Sequence, residues 1–528
     1  MSDLKEYTVT APSMEVTDSI WDDLVTDSPT PDTVPNRPVE VANERPANPR
    51  NTTYLLTDEE AEKLRQDPRV EDVQDLSLFK IHPKASQGAT FDKTSIQTGA
   101  KGNWGLLRHI SRNNIYGTSL LDPGGTYDYV LDGTNVDVVI IDSGIQLDHP
   151  EFKAADSAVS RIRNIDWFEA SGVSGSMPNI GDFYTDYDGH GTHVAGTVAG
   201  LNFGWAKNAN IYSIKLSGLQ GAGDPSPGLD VSTAFDVLIG WHNNKINGNP
   251  TVVVNSWGYG VYWRDDLQAM SFGLGEFDTT FAINGGNYRG TAWVTPVRDA
   301  AKGLIGSTFQ ANTYLMPFRV SAVDADIATG AAAGIVFCNA AGNESHKIDV
   351  FGGVDYDNRV FTDFGTYYYH RGMSPSINLD EATFGFTVGA IDYQTNSGVD
   401  RKASYSNSGP GVTAYAAGSR IISSTSNVNV SNSNVPYFAN SAYKQELQNG
   451  TSMANPQIAG MAALVLQMHP DWTPKQVIDF IKYRSITNSL YSTELDNDYS
   501  VSDSLHGGLS KVPYIEMAQQ RVFSIFSQ

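Results

Sequence analysis

Short apolar runs rich in β-branched residues alternate with helix-compatible segments along most of the chain, and no other feature constrains the fold as strongly. Such runs are typical of strands that are buried on both faces of a parallel sheet. The strand candidates are residues 136–141, 211–215, 251–254 and 334–338, and the helix candidates are residues 192–201, 231–244, 453–468 and 474–483. The alternation predicts an α/β fold with a doubly wound, mostly parallel sheet flanked by helices.

Three regions are predicted along the chain. Residues 103–528 carry the alternation and form one domain, with an insertion of mixed composition at about 259–329. Residues 51–102 form a small α/β unit and a linker, and Thr57 with Glu60 predicts a capping box at the start of its helix. Residues 1–50 are rich in Pro, Asp and Thr and are predicted to be an extended arm or linker.

Composition excludes several classes of partner. The formal net charge is −23, and no dense Lys/Arg run is present, so we expect no nucleic acid. No apolar run approaches the ~20 residues of a membrane helix, so we expect no membrane partner. Cys338 is the single cysteine and lies in an apolar run, which indicates a buried thiol. The N-terminus lacks the pattern of a secretory signal, so we expect an intracellular or virion-associated protein rather than a classically secreted one.

Ser452 lies at the first turn of a predicted apolar helix. That position offers unpaired backbone N–H groups and the positive end of the helix dipole, which can stabilise a developing oxyanion. The small neighbours Gly450 and Ala454 leave room for a substrate chain. The alternative is a serine that only caps a core helix.

Asp142 and His190 are the candidate partners of a nucleophile. Asp142 ends a buried strand and is followed by Gly144, so its carboxylate can point into a site, although a turn-forming Asp is the alternative. His190 stands between glycines just before a helix, and neutral imidazole accepts a proton near pH 7. His190 and His193 are three residues apart, but zinc proteases place two histidines four apart around a Glu. We therefore favour a general base at His190 and a structural, hydrogen-bonded role for His193.

Asn343 occurs in the segment 339–344, which directly follows the predicted strand 334–338. A side-chain amide at the carboxyl end of a strand can donate a hydrogen bond to an oxyanion. The alternative is an asparagine in an ordinary strand-to-loop turn.

The motifs around these residues resemble those of the subtilisin-like serine proteases, the subtilases, and the Asp, His, Ser order is that of subtilisin itself. The matching stretches are Asp142-Ser143-Gly144, His190-Gly191-Thr192-His193-Val194-Ala195-Gly196 and Gly450-Thr451-Ser452-Met453-Ala454-Asn455-Pro456. Ala340-Ala341-Gly342-Asn343 resembles the family's oxyanion segment, and residues 403–410 resemble a strand and loop that precede the serine helix. The resemblance covers about residues 103–490.

The resemblance implies a serine endopeptidase that acts on protein or peptide substrates through an acyl-enzyme. Ser452 would be the nucleophile, His190 the general base and Asp142 its orienting partner, with Asn343 in the oxyanion hole. The implied substrate-binding residues are Ser256, Trp257, Gly258, Ala341 and Gly342. Trp257 stands where the family more often has a smaller apolar residue.

The resemblance also implies features outside the triad. Residues 53–82 resemble the family's propeptide, which predicts a zymogen that cleaves itself between about Pro83 and Asn103. The chemistry requires no cofactor. Many members have a longer calcium-binding loop after the His helix, whereas the loop of residues 200–204 is short. Two alternatives stay open: a structural calcium with Glu151 as a ligand, or the loss of that calcium site.

Two other interpretations remain. One is a non-catalytic structural protein that keeps the fold. The other is a protease attached to a larger assembly, such as a phage particle, through the N-terminal arm.

Overall fold

The computed structural model forms two compact units, Met1–Lys84 and Ala85–Gln528, which are described here one at a time. The described residues are 4–11, 14–25, 37–43, 51–70, 72–75, 90–92, 102–112, 114, 126–155, 157–219, 221, 223–264, 269–270, 280–283, 286–289, 313–317, 319–353, 355–357, 359–362, 365–368, 370–373, 385–396, 399–428, 433–487, 490–491 and 505–515.

The first unit is a twisted antiparallel sheet with two helices. Its elements are β1 (Lys5–Thr10), α1 (Met14–Val25), β2 (Val41–Asn43), β3 (Asn51–Leu56), α2 (Asp58–Leu64) and β4 (Asp72–Asp75). The strand order is β2-β3-β1-β4. The predicted capping box at Thr57 and Glu60 is confirmed, since each side chain bonds the other's backbone N–H.

The structure contradicts the prediction of an extended arm over residues 1–50, because β1 lies inside the sheet and pairs with both β3 and β4. Tyr7 and Val9 alternate inward along β1, and they join a core with Ile20 and Leu24 of α1. This short alternation is hidden among polar and Pro-rich neighbours.

The second unit contains the remaining elements. Its helices are α3 (Trp104–Arg108), α4 (Trp167–Ser171), α5 (Ile180–Phe183), α6 (His190–Ala199), α7 (Val231–Asn244), α8 (Ser321–Ala332), α9 (Thr451–Met468) and α10 (Pro474–Tyr483). Its strands are β5 (Thr90–Asp92), β6 (Thr126–Asp128), β7 (Asp137–Asp142), β8 (Asn210–Lys215), β9 (Thr251–Asn255), β10 (Gly260–Arg264), β11 (Ala269–Met270), β12 (Thr280–Ile283), β13 (Gly286–Arg289), β14 (Thr313–Pro317), β15 (Val336–Ala340), β16 (Arg359–Thr362), β17 (Gly365–Tyr368), β18 (Gly385–Asn396), β19 (Val399–Lys402), β20 (Ala414–Ala417), β21 (Ile421–Thr425), β22 (Val435–Tyr437), β23 (Asn440–Gln448), β24 (Ser485–Thr487), β25 (Leu490–Tyr491) and β26 (Lys511–Pro513).

The central sheet is mostly parallel, as predicted, with the order β25-β19-β18-β15-β9-β7-β8 and β20 paired to β18. Successive residues of β7 enter different cores: Val138 and Ile140 pack on the side of α6 and α9, and Val139 and Ile141 pack on the side of α7 and α8. This two-sided burial explains the uninterrupted apolar run. In the parallel register Ile141 lies opposite Asn255, and Asn255 lies opposite Asn339, so these three strands end at one edge.

The region predicted as an insertion forms strands of two small antiparallel sheets. One has the order β11-β10-β14, and the other has the order β13-β12-β16-β17. Helix α8 begins inside the predicted insertion and packs against α7. The last part of the predicted insertion therefore belongs to the main domain. In the part of the chain that the structure describes, no helix has the length and apolar character needed to cross a membrane.

Candidate active site

Asp142 and His190 meet at the carboxyl edge of the sheet. The Asp142 carboxylate, at the end of β7, is buried, and its Oδ1 accepts a hydrogen bond from His190 Nδ1 at 2.8 Å. The Ser143 N–H donates to the same oxygen at 2.8 Å. Oδ2 has no hydrogen-bond partner among the described residues. The His190 side chain at the start of α6 is 28% exposed, so one face of the imidazole can be reached from outside.

The charge around His190 favours the imidazolium. Burial lowers the pKa of His190, but the negative charges of Asp142, Asp188 and Asp186 outweigh burial and raise this pKa to about 9. A general base must be neutral to accept a proton. A rise in pH is therefore expected to increase the fraction of His190 that can act as a base.

Asp186 holds the turn that presents His190, a role that the sequence analysis did not assign. It is fully buried, four residues before His190. Its carboxylate accepts hydrogen bonds from the N–H groups of Asp188, Gly189 and Thr192 and from the hydroxyls of Ser143 and Thr192. In the first turn of α6, where the N-cap Gly189 has no side chain, Asp186 satisfies the Thr192 N–H. The His190 N–H donates to Asp188 Oδ1, and the Gly191 N–H donates to Ser143 Oγ.

Ser452 is the second residue of α9, and its neighbourhood is joined to β9. Its Oγ donates to the Ser256 carbonyl at 3.0 Å, and Ser256 Oγ donates to the Ser452 carbonyl at 3.1 Å. The hydroxyl of Ser452 therefore bonds Ser256 rather than His190 in this structure. Helices α6 and α9 pack against each other. Proton transfer between Ser452 and His190 requires Oγ to turn away from Ser256.

The Asn343 amide is oriented by the first residue of α9. Its Oδ1 accepts from the Thr451 N–H at 2.8 Å and from Thr451 Oγ1 at 3.0 Å. Two donors on one atom identify it as the oxygen, so Nδ2 is the free donor. A Cβ placed on Gly450 would lie 3.6 Å from this Nδ2 and 3.5 Å from the Ser452 nitrogen. The two predicted oxyanion donors therefore flank the same small turn.

The backbone of Ala341 and Gly342 is committed to the protein. The Ala341 N–H donates to Val388, and the Gly342 N–H donates to Thr451 Oγ1 at 3.0 Å. Their carbonyls accept from the side chain and the N–H of Asn407. These two predicted substrate-binding residues can thus offer a wall to a substrate but no free backbone group.

Trp257 and Gly258 follow β9 and are half-buried. Neither has a backbone hydrogen bond to the described part of the chain. The Trp257 ring packs edge-on against Tyr259, with centroids 5.9 Å apart. This segment therefore keeps backbone groups that an extended peptide could pair with.

Asn407 fixes the loop that carries Asn343. The sequence analysis did not assign this role to Asn407. Its side chain is fully buried, donates to Ala341 and Glu344, and accepts from the N–H groups of Glu344 and His346. It lies in residues 403–410, for which a strand and loop were expected. The structure has β19 before this stretch and a loop through it. The stretch is rich in serine and has one asparagine, and this polar character was the only local signal.

Asn455 lies one turn beyond Ser452. Its Nδ2 donates to the carbonyls of Asn255 and Cys338 at 3.0 Å each, which ties the end of β9 and the middle of β15 to α9. His193 has the predicted structural role, with Nε2 3.1 Å from the carbonyls of Ile421 and Glu446. Within the described ranges, no three His, Cys, Asp or Glu side chains are grouped to hold a metal ion.

The chain is similar to known proteins over most of its length. The family model described as the subtilase family matches residues 133–504. The chain is 26% identical over 445 residues to the extracellular serine proteinase of Thermus sp. (strain Rt41A), covering 83% of this chain and 72% of that protein. It is 26% identical over 438 residues to alkaline serine exoprotease A of Vibrio alginolyticus, covering 83% and 55%. It is 26% identical over 395 residues to subtilisin E of Bacillus subtilis (strain 168), covering 73% and 70%.

One solved structure, a cold adapted subtilisin-like serine proteinase, matches with 23% identity and a TM-score of 0.44. The match covers 78% of this chain and 98% of that one.

Proposed function

The chain belongs to the subtilase family, and from this premise we propose that it is a serine endopeptidase in which Ser452 is the nucleophile, His190 the general base and Asp142 its orienting partner. The hydrogen bond between Asp142 and His190 Nδ1 at 2.8 Å is the observation that carries this proposal. It leaves Nε2 as the nitrogen that takes the proton of the nucleophile.

The proposed reaction begins when Ser452 Oγ leaves the Ser256 carbonyl and attacks a peptide carbonyl carbon. His190 Nε2 takes the hydroxyl proton and returns it to the leaving amine, which gives an ester on Ser452. Water then attacks this ester with His190 again as base, and the acid product leaves. Asp142 keeps its hydrogen bond to His190 Nδ1 and stabilises the imidazolium.

Asn343 Nδ2 and the Ser452 N–H would hold the oxyanion. One such side-chain donor is worth about 3–4 kcal/mol, a magnitude known from subtilisin itself. The two bonds from Thr451 to Asn343 Oδ1 support this role, because a donor fixed before reaction does not lose energy to reorganisation.

We further propose that the protein is made as a zymogen and cleaves itself between about Pro83 and Asn103. Support comes from the boundary between the two compact units at Lys84, inside this range. Most of residues 83–103 lie outside the described part of the chain.

The mass and N-terminal residue of the purified protein, with and without Ser452→Ala, test both proposals. The proposals expect a shorter wild-type chain that hydrolyses casein and a full-length, inactive variant. A full-length wild-type chain that hydrolyses casein removes only the zymogen. Wild type without hydrolysis under folded, processed conditions supports the non-catalytic interpretation.

A further inference from the structure

The loop of residues 200–204 leads away from the C-terminal end of α6, the helix that begins at His190. It lies beside Glu151, which follows Asp142 by nine residues and is fully buried. This is the place where the family resemblance implies a calcium ion. The oxygen atoms around the loop decide whether an ion fits there.

The Glu151 carboxylate is saturated with hydrogen-bond donors. Oε2 accepts from the N–H groups of Asn202 at 2.8 Å and Phe203 at 3.2 Å. Oε1 accepts from Asn202 Nδ2 at 2.7 Å and from the Tyr437 hydroxyl at 2.5 Å. Four donors use the roughly four lone-pair positions of a carboxylate. Two of them are backbone N–H groups, whose positive ends would repel a cation.

The carbonyl oxygens near the loop are also occupied. Lys207 Nζ donates to the carbonyls of Leu201 at 3.0 Å and Gly204 at 2.6 Å. The guanidinium of Arg161 donates to the carbonyls of Glu151, Ala199, Ala206 and Ala209. Both cationic side chains are only 3% exposed. Ala199 is the last residue of α6, so Arg161 also places a positive charge at the negative end of that helix.

Calcium requires six to eight oxygen ligands, and here the oxygens that line the loop already accept N–H or O–H donors. The residues therefore do not fit a calcium ion. We propose that Lys207 and Arg161 are built-in replacements for a divalent cation, so that this loop holds its structure without a bound metal. The proposal concerns the stability of the loop and stands apart from the catalytic assignment.

The replacement does not depend on the charge of Lys207. Burial lowers the pKa of Lys207 to about 7, although Glu151 raises it. The neutral amine that forms at alkaline pH still has two N–H bonds, one for each carbonyl. The bonds from Lys207 to the Leu201 and Gly204 carbonyls are therefore expected to persist at the pH where His190 is neutral.

Amide hydrogen exchange at Asn202 and Phe203 tests the proposal locally. The full chain would carry Ser452→Ala to prevent autolysis, and exchange would be followed in EGTA and in calcium chloride. We expect slow exchange at the same rate, within about twofold, in both solutions. Faster exchange of these two amides in EGTA would overturn the proposal, and a calcium site elsewhere would leave them unchanged.

Lys207→Met adds a test of the residue itself, with Lys475→Met as a matched control on the exposed face of α10. We expect at least about tenfold faster exchange at Asn202 and Phe203 in Lys207→Met, and rates like wild type in Lys475→Met. Unchanged exchange in Lys207→Met would overturn the role of Lys207. If this variant does not fold, the comparison of EGTA with calcium in the parent protein decides the question.

Discussion

Two buried carboxylates bracket α6, and they differ in how completely their oxygens are used. Near the first turn of the helix, Asp142 Oδ1 bonds His190 and Ser143, while Oδ2 has no partner among the described residues. Near the last turn, Glu151 accepts four hydrogen bonds. The carboxylate near the first turn thus keeps one oxygen without a described hydrogen-bond partner, whereas both oxygens of the carboxylate near the last turn accept two hydrogen bonds each.

The difference in hydrogen bonding indicates a catalytic role for Asp142 and a structural role for Glu151. A buried acceptor without a partner costs about 1–3 kcal/mol, and the charge that Asp142 retains helps to raise the pKa of His190 to about 9. The charge of Glu151 is spread over four donors, three from the loop of residues 200–204 and one from Tyr437 of β22. We therefore expect changes at Asp142 to act on rate and changes at Glu151 to act on stability.

The largest expected effect is that of Asp142→Asn. The amide cannot stabilise the imidazolium or hold the same tautomer of His190, so kcat should fall about 10⁴-fold, as in other proteases with this triad. The melting temperature should move by less than about 2 °C, since no saturated network is broken. Peptide hydrolysis and calorimetry measure the two effects. A kcat within tenfold of wild type would contradict the assigned role.

Asn343→Ala should lower kcat by about 10²–10³-fold with little change in KM, because the lost donor acts on the oxyanion and not on the ground-state carbonyl. Thr451→Val keeps the shape but removes the hydroxyl bond to Asn343, so a smaller loss of kcat is expected. Asn440→Ala, at an exposed strand end, is the control. Equal kcat in Asn343→Ala and the control would remove Asn343 from the oxyanion hole.

Glu151→Gln should lower stability and leave the catalytic rate nearly unchanged, the opposite of the effects expected for Asp142→Asn. The amide nitrogen would face N–H donors that need an acceptor, which costs about 1–3 kcal/mol of unfolding free energy. Tyr437→Phe removes a single donor and should cost about 1 kcal/mol. Denaturant unfolding measures both, and kcat of the folded fraction should stay within about twofold. A large loss of kcat without loss of stability would break the distinction between the two carboxylates.

The smallest expected effect is a shift in the midpoint of the pH dependence of kcat/KM. Neutral His190 is the active form, so kcat/KM should rise with pH and level off above about pH 9. Asp188 is exposed and stabilises the imidazolium. Asp188→Asn should therefore move the midpoint to lower pH. Asp357→Asn, which removes an exposed charge that pairs with Arg371, serves as control. A midpoint that Asp188→Asn raises would contradict the electrostatic assignment.

Local signals explain which parts of the fold were predictable. Helix α7 has the predicted bounds, because Asp230 caps it and its apolar period is regular. Helix α10 also has the predicted bounds, because Thr473 and Gln476 form a capping box. Asp142 and Asn343 were identified because each follows a buried strand, and parallel strands end at one edge.

The parts that were missed depend on contacts between distant residues. Tyr437 reaches Glu151 across 286 positions, and Asn407 reaches Ala341 across 66. No local pattern marks either partner. Strand β1 is stabilised by strands that lie more than forty residues later, so its short alternation had no visible partner in the sequence.

Labelling with a fluorophosphonate most directly tests whether a single activated serine stands at this sheet edge. The full-chain protein would be treated, digested and analysed by peptide mass. We expect one modified residue, Ser452, with labelling abolished in Ser452→Ala and strongly slowed in Asp142→Asn. A folded, processed wild-type protein that stays unlabelled, or carries the label on another serine, would contradict the account.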